Sequence, residues 1–258
     1  MKIIVALKRV PEFAEVDLKI DETGKDIRKD NLPFTINEAD NYALEEALLL
    51  KEKYGGEITV LTVGEKSADE VLRLAMAKGA EFAVRIEGDY RDPVILGFLL
   101  SRAISEFSFD LILCGSFASD DGYAALGPSL ASFLKLPFAC YVNRINFSPP
   151  LLVIERELEG GKIEEKTLPL PCLLTISTGI NTPRYASLLG IKRSQAREIK
   201  VLTLNSLGTN EKEIEEMSSL SLAYLSKPIR EAKALFITGS ADEISEKVAK
   251  LIKERGLL

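Results

Sequence analysis

The chain has 258 residues, 46% of them hydrophobic, and a formal net charge of −6. This length suits one large domain, or one α/β domain with an extension. The negative charge and the absence of any basic run longer than two residues exclude sequence-independent nucleic-acid binding, which requires a basic stripe.

Individual residue types exclude further classes of site. Histidine is absent, which removes the commonest general base and most zinc sites. Cys114, Cys140 and Cys172 lie far apart in apolar contexts, so we expect small buried hydrophobes and neither a disulfide nor a metal site. Any redox chemistry would therefore use a borrowed cofactor.

The apolar runs are too short for export or membrane insertion. Residues 3–7 are followed at once by Lys8 and Arg9, which leaves too little for the apolar core of a signal peptide. No later run approaches the ~20 residues of a membrane span. We expect a cytoplasmic protein with no membrane span.

Apolar runs and helical patterns alternate over the first half of the chain. The runs lack polar alternation and predict strands buried on both faces, at residues 3–7, 57–63, 80–86 and 110–114. Helical periodicity predicts helices at residues 37–54, 67–79 and 92–107. The charged residues 11–36 predict a surface loop or hairpin.

This βαβαβα order predicts an α/β fold with a doubly wound, Rossmann-like parallel sheet and right-handed crossovers. In such a sheet, ligands bind beyond the carboxyl ends of the strands, near a switch point in strand order. Three predicted strand ends qualify, at residues 6–9, 63–65 and 115–122.

Two helix starts carry capping signals. Asn37 is predicted to cap the first helix, with Asp40 in its first turn. Ser67 is followed three residues later by Glu70, the pattern of a capping box.

The second half of the chain does not continue the alternation of predicted strands and helices. Residues 151–158 and 162–168, joined by Gly160 and Gly161, predict a β-hairpin insertion, and residues 172–177 predict a strand. Residues 182–193 form a loop bounded by proline and glycine, whose Leu188 and Leu189 either pack into the core or await a partner. Composition alone favours the core.

The C-terminal part predicts an arm. Residues 206–230 have no convincing period and suggest an extended segment, followed by a strand at 234–238 and an amphipathic helix at 241–255. We therefore divide the chain into an α/β nucleotide-binding domain at 1–205 and a C-terminal arm at 206–258.

The stretch DLILCGSFASDDGYAALGP at residues 110–128 predicts a strand, a short polar loop and a helix. Backbone N–H groups at such a helix N-terminus bind phosphate well, which suggests a nucleotide. An ordinary βα turn capped by Asp120 or Asp121 explains the segment equally well, because no glycine fingerprint supports the nucleotide.

The order of motifs resembles the β (small) subunit of electron-transfer flavoproteins along nearly the full length. The matching segments are VALKRVPEF at 5–13, IN with the helix that follows at 36–53, TVG at 62–64, MAKGAE at 76–81, residues 110–128, and LPLPCLLTISTGINTPRYASL at 168–188. The resemblance implies a heterodimer with a larger α subunit that carries the redox FAD. Such a heterodimer passes electrons from flavin dehydrogenases to an acceptor such as a quinone oxidoreductase, and this subunit is a non-catalytic carrier component.

The resemblance also implies a nucleotide site at the three strand ends. In most members the β subunit holds a structural AMP, whereas in electron-bifurcating members a second FAD occupies that site. The implied binding residues are Ala6, Asn37, Glu38, Ala39, Asp40, Val63, Ala118, Ser119, Asp120, Asp121, Gly122, Tyr123, Ala124, Ala125, Leu126, Gly127 and Pro128.

Within that site, backbone near Ala6 and Val63 would read adenine, and Asn37 and Asp40 would bond hydroxyl or base groups. Phosphate would rest on the N–H groups of residues 118–128. The carboxylates of Asp120 and Asp121 would serve as caps or ribose contacts, because an unpaired carboxylate repels phosphate.

Departures from the family pattern favour AMP over FAD. Ser116 and Phe117 replace the usual basic residue and glutamine, and Gly122, Tyr123 and Ala125 replace the Asp, Thr and Gln that bifurcating members favour.

The resemblance assigns two contact regions. Phe13 stands where the family often has an aromatic residue near the flavin of the α subunit, and its other interpretation is a hydrophobic anchor of a polar loop. Tyr185 and Leu188 lie in the loop that docks on partner dehydrogenases, although Leu189 and Gly190 replace the usual Pro-Asn. The C-terminal arm would wrap the α subunit.

Two other functions remain open. A stand-alone adenine-nucleotide-binding protein of the stress-protein type explains residues 1–130 but not the PRYASL loop or the arm. An NADH-dependent bifurcating oxidoreductase requires flavin bound to this chain. A nucleotide hydrolase is less well supported, since only Asp120 and Asp121 are available to bind Mg²⁺.

Overall fold

The computed structural model describes residues 1–12, 16, 18–149, 151–218, 220–228 and 234–257. Strands in these residues are β1 (Lys2–Ala6), β2 (Arg9–Pro11), β3 (Phe34–Ile36), β4 (Glu57–Val63), β5 (Phe82–Ile86), β6 (Leu111–Gly115), β7 (Phe138–Ser148), β8 (Leu151–Leu158), β9 (Lys162–Pro169), β10 (Cys172–Ile176) and β11 (Lys200–Leu202). The α-helices are α1 (Glu38–Tyr54), α2 (Asp69–Lys78), α3 (Pro93–Ile104), α4 (Leu126–Leu134), α5 (Leu188–Gln195), α6 (Glu211–Met217) and α7 (Ala241–Glu254).

The predicted doubly wound α/β fold is confirmed. The main sheet has the order β11-β5-β4-β1-β6-β10-β7-β8-β9. Strands from β11 to β7 pair in parallel, and β8 and β9 continue the sheet as an antiparallel hairpin. The chain runs from β1 outward to β4 and β5, then returns to the other side of β1 to form β6. The switch point therefore lies between β1 and β6.

Helices cover both faces of the parallel part. In β1, Ile3 and Val5 face the core shared with α1 and α2, whereas Ile4 and Ala6 face the core shared with α3 and α4. Burial on both faces explains why the sequence shows an unbroken apolar run and not an alternating one.

Two capping predictions are wrong. Asn37 occupies the N-cap position of α1, but its side chain makes no capping bond. A short 3₁₀ helix at Lys66–Ala68 precedes α2, so Ala68 occupies the N-cap and the predicted Ser67–Glu70 capping box does not form. Helix α3 does have a side-chain cap, because the Asp92 carboxylate accepts the Val94 N–H at 2.8 Å.

Most other elements follow the sequence. Strands β2 and β3 pair antiparallel and close the 11–36 excursion as a hairpin, and β8 and β9 form the predicted hairpin around residues 159–161. Strands β7 and β11 were not predicted.

The C-terminal region is partly different from the prediction. Residues 211–217 form helix α6, and its Ile214 packs with Leu207 into the core beside α3, so this part is not extended. Residues 234–238 form no strand. Helix α7 is confirmed, with a complete capping box between Ser240 and Glu243. The domain boundary at residue 205 stays a prediction.

Among the described residues, no helix combines the length and the apolar character needed to cross a bilayer.

Gly115 ends β6 at the point where α1 begins. A Cβ atom at this position would lie 2.5 Å from the Asp40 Oδ1 atom and 2.7 Å from both the Ala39 Cβ and the Asp40 backbone nitrogen. Real Cβ contacts of that length do not occur, so either the strand or the helix start would have to move.

We predict that Gly115→Ala lowers the free energy of unfolding by about 1–3 kcal/mol, the usual cost of overpacking. Urea denaturation followed by circular dichroism measures this change. Ser132→Ala, on an exposed part of α4, is the control and should leave stability within about 0.5 kcal/mol of the wild type. A Gly115→Ala protein as stable as that control would contradict the close packing of α1 on β6.

Candidate functional site

A cleft opens at the switch point, beyond the carboxyl ends of β1 and β6. The loop after β1 and the loop between β6 and α4 form its sides, and the start of α3 forms its apolar wall. The lining residues are Lys8, Asp40, Pro93, Leu96, Gly115, Ser116, Phe117, Ala118, Asp121, Tyr123, Ala124, Ala125 and Leu126. This position is the one that the strand order predicts for a ligand.

A buried carboxylate links the two strand ends beneath the cleft. The Lys8 N–H donates to Asp40 Oδ2 and the Gly115 N–H donates to Asp40 Oδ1, both at 2.8 Å. Burial raises the pKa of Asp40 to about 7, although the two backbone N–H bonds favour its ionised form. Because both oxygens already accept backbone N–H groups, Asp40 positions the loops on either side of the cleft.

The side chain of Asn37 fixes the loop after β6. Its amide nitrogen donates to the Phe117 carbonyl at 2.8 Å, and its Oδ1 accepts the Ser119 N–H at 3.0 Å. The Asn37 side-chain oxygen, which the sequence predicted would cap α1, therefore bonds this loop. Asn37 and Asp40 together hold the loop against the start of α1.

Lys8 neutralises much of the acidic charge beside the cleft. Its ammonium lies 2.7 Å from Asp120 Oδ1 and 2.7 Å from Asp121 Oδ2. Burial alone would lower the pKa of Lys8, but the two carboxylates outweigh it and hold that pKa above its ordinary value. Lys8 was not among the predicted site residues, and the signal that could have found it is a basic residue directly after the first predicted strand.

The N-terminus of α4 has no side-chain cap. Ala125 occupies the N-cap position, and Ala124 before it has a φ of 54°. Within the part of the chain that the structure describes, no hydrogen bond reaches the N–H groups of residues 124–127. Unbonded N–H groups at the positive end of a helix dipole are groups that bind anions in proteins, so the start of α4 is a candidate anion site.

The remaining predicted site residues lie around the cleft. Ala6, Asn37 and Ala39 are buried at the ends of β1 and the start of α1, so mainly backbone would be available there. Val63 ends β4 beside them. None of these four lines the cleft itself, nor do Glu38, Ser119, Asp120, Gly122, Gly127 and Pro128. Their roles in binding stay predictions.

The predicted docking residues lie far from this cleft in sequence and are exposed. Tyr185 is 98% exposed and Leu188 is 87% exposed. Leu189 is 55% exposed, so the preference for burying the two leucines in the core is wrong. The segment is also not a plain loop, because Leu188 begins α5 and the Ser187 side chain caps it by accepting the Gly190 N–H.

Phe13, which the resemblance placed near the flavin of the α subunit, lies outside the described residues.

Comparison with known proteins agrees with the motif order. The model of the electron transfer flavoprotein domain matches residues 27–207. The chain belongs to this family. It is 36% identical to the electron transfer flavoprotein subunit beta of Methylophilus methylotrophus, with 98% of both chains covered. The same subunit of Thermoanaerobacterium thermosaccharolyticum is 34% identical over the full length of both chains, and that of Bacillus subtilis is 35% identical over 98% of both. The resemblance inferred from the motifs, to the electron transfer flavoprotein β subunit, is confirmed.

Membership of the electron transfer flavoprotein family gives the chain a coarse role. It is a component of an electron carrier that works with flavin.

We predict that stability depends on pH through Asp40. The pKa of Asp40 rises from 3.8 to about 7 on folding, so the folded protein binds a proton more tightly than the unfolded chain. The resulting stabilisation is present at low pH and is lost as the pH rises through about 7. The free energy of unfolding of the wild type, minus that of Asp40→Asn, should fall by up to about 1.4 kcal/mol per pH unit between about pH 5 and 7.

Urea denaturation of both proteins across this pH range measures the difference, and a carboxyl ¹³C titration of Asp40 in the wild type measures its pKa directly. A flat difference together with a titration midpoint near pH 4 would contradict the raised pKa.

Proposed function

We propose that this chain is the β subunit of an electron transfer flavoprotein that binds AMP as a structural ligand and pairs with an FAD-bearing α subunit. The heterodimer would carry electrons from flavin dehydrogenases to an acceptor linked to quinone. The observation that carries the nucleotide part of this proposal is the uncapped N-terminus of α4 beside the cleft.

The chemistry of the cleft suits a monophosphate. The four unbonded N–H groups of residues 124–127 would hold the phosphate oxygens. Lys8 pairs with Asp120 and Asp121, so the nearest carboxylates do not confront the phosphate as isolated charges. Backbone near Ala6 and Val63 would contact the adenine.

The apolar part of the cleft supports AMP over a dinucleotide. Pro93 and Leu96 from the start of α3 line the cleft, as do Phe117 and Tyr123 from the loop after β6. Among the residues that line the cleft, Lys8 is the one with a cationic side chain. Its ammonium already pairs with two carboxylates. A second phosphate would find little further positive charge there.

The flavin of the α subunit would supply the electron chemistry, since FAD accepts and releases electrons in one- or two-electron steps. This chain would bind the α subunit, orient it and present a docking surface to the donor. The proposal therefore assigns no catalytic residue to the chain.

Coexpression of the chain with its α subunit tests the nucleotide. We predict that the purified heterodimer releases about one AMP and one FAD on denaturation, measured by mass spectrometry and absorbance. Ala125→Glu, which places a carboxylate at the phosphate-binding N–H groups, should lower the AMP content at least tenfold. Ser132→Glu, exposed on the same helix, is the charge-matched control and should retain AMP.

Two FAD molecules and no AMP per heterodimer would contradict the AMP assignment and favour electron bifurcation at this site. A monodisperse single chain that binds ATP and no α subunit would favour the stand-alone nucleotide-binding protein.

Docking through the exposed leucine is tested separately. Truncating one apolar anchor in a transient interface costs about 2 kcal/mol, which corresponds to roughly a 30-fold change in affinity. We predict that Leu188→Ala raises the apparent KM of a donor flavin dehydrogenase for the heterodimer about 10- to 30-fold with little change in kcat. Leu158→Ala, on the hairpin insertion and also exposed, is the control. Equal KM values for the two variants would contradict docking at Leu188.

A further inference from the structure

The segment that carries Tyr185 and Leu188 has no core of its own. From Asn181 to Arg193 every residue is half-buried or exposed, and residues 181–187 pair with no strand. We call residues 181–193 the display segment. A segment with so little apolar burial would be mobile unless polar contacts hold it.

Polar contacts from α1 hold its first half. The Asn181 side chain donates to the Tyr42 carbonyl at 3.1 Å and to the Glu46 carboxylate at 3.0 Å. The Arg184 backbone N–H donates to Glu45 Oε2 at 3.0 Å. The display segment is thus tied to one face of α1 on both sides of Pro183.

The Arg184 guanidinium makes the strongest of these ties. It donates to both oxygens of Glu45 at 2.8–3.0 Å, and it also donates to both oxygens of Glu52, about two turns further along α1. The two carboxylates hold the pKa of Arg184 above its ordinary value, and Arg184 lowers the pKa of Glu52. The planar fork of an arginine matches a carboxylate with two parallel bonds, which a lysine cannot do.

Glu45 is the buried member of the cluster. Its side chain is 5% exposed, so removing Arg184 would leave a carboxylate with much less compensation. Lys78 of α2 also contributes positive potential at Glu45, but its ammonium donates to Asn41. The hydrogen bonds to the Glu45 carboxylate therefore come mainly from the display segment.

The second half of the display segment is held by α2. The Arg73 guanidinium donates to the Ser194 carbonyl at 2.6 Å and to the Gln195 and Arg197 carbonyls at 3.2 and 3.3 Å, at the C-terminal end of α5. A Cβ at Gly190 would collide with the Ala77 carbonyl, so α5 lies directly on α2. The display segment is therefore held by Arg184 in its first half and by Arg73 just beyond its C-terminal end.

We propose that Arg184 and Glu45 are positioning residues for docking. Their ion pair holds Tyr185 and Leu188 in one exposed conformation, so the segment loses little conformational entropy when the donor binds. This inference rests on the docking role under Proposed function. Preorganisation of this kind lowers the entropic cost of binding and leaves the electron-transfer step itself unchanged.

The test compares Arg184→Gln and Arg184→Lys in the αβ heterodimer. Arg144→Gln, which breaks a similar Arg–Glu pair with Glu155 on the hairpin insertion, is the matched control. We expect hydrogen exchange of the backbone amides of residues 185–191 to be at least tenfold faster in Arg184→Gln. Arg184→Lys should be intermediate, and Arg144→Gln should be unchanged. Exchange within twofold of the wild type in Arg184→Gln would overturn the proposal.

Steady-state reduction by the donor dehydrogenase that reduces the wild-type heterodimer gives the second readout. We expect Arg184→Gln to raise KM at least fivefold with kcat unchanged, as Leu188→Ala does. If Leu188→Ala raises KM and Arg184→Gln does not, the positioning role is wrong and docking at Leu188 stands. If neither variant raises KM, the docking role under Proposed function fails and this inference fails with it.

Discussion

The buried carboxylate of Asp40 joins the two strands between which the sheet reverses its order. It accepts the N–H of Lys8 after β1 and the N–H of Gly115 at the end of β6. A buried carboxylate is costly unless it is fully hydrogen-bonded, and these two bonds offset much of that cost. Because Gly115 has no side chain, α1 approaches closely enough for the bond to form. The loops that flank the cleft depend on this link for their positions.

The anion site follows from the same arrangement. Asn37, three residues before Asp40, bonds the loop at Phe117 and Ser119, and Lys8, next to the first strand, holds Asp120 and Asp121. The side chains of Asp40, Asn37 and Lys8 are therefore used to order backbone or to balance charge. The N–H groups before and within the first turn of α4 remain available, and these are the groups that the proposed phosphate would need.

The sequence predicts the parallel part of the fold well, because strands buried on both faces leave unbroken apolar runs such as that of β1. Strand β7 was missed because it is half-exposed and its register shifts near Tyr141, whose φ is 59°, so no steady alternation is visible. Strand β11 has only three residues. Leu188 and Leu189 were misjudged because hydropathy cannot distinguish a core leucine from one held outward by polar contacts. The roles of Lys8 and Asn37 depend on contacts between residues 80 or more positions apart in the sequence, which no local pattern reveals.

The central claim is that the N–H groups of residues 124–127 bind the phosphate of a mononucleotide. A crystal structure of the αβ heterodimer, purified without added nucleotide, tests it most directly. We expect one phosphate within hydrogen-bonding distance of at least two of these backbone nitrogens, attached to an adenosine that reaches toward Ala6 and Val63. Density for a nucleotide elsewhere on the chain, or ordered water alone at the start of α4, would contradict it.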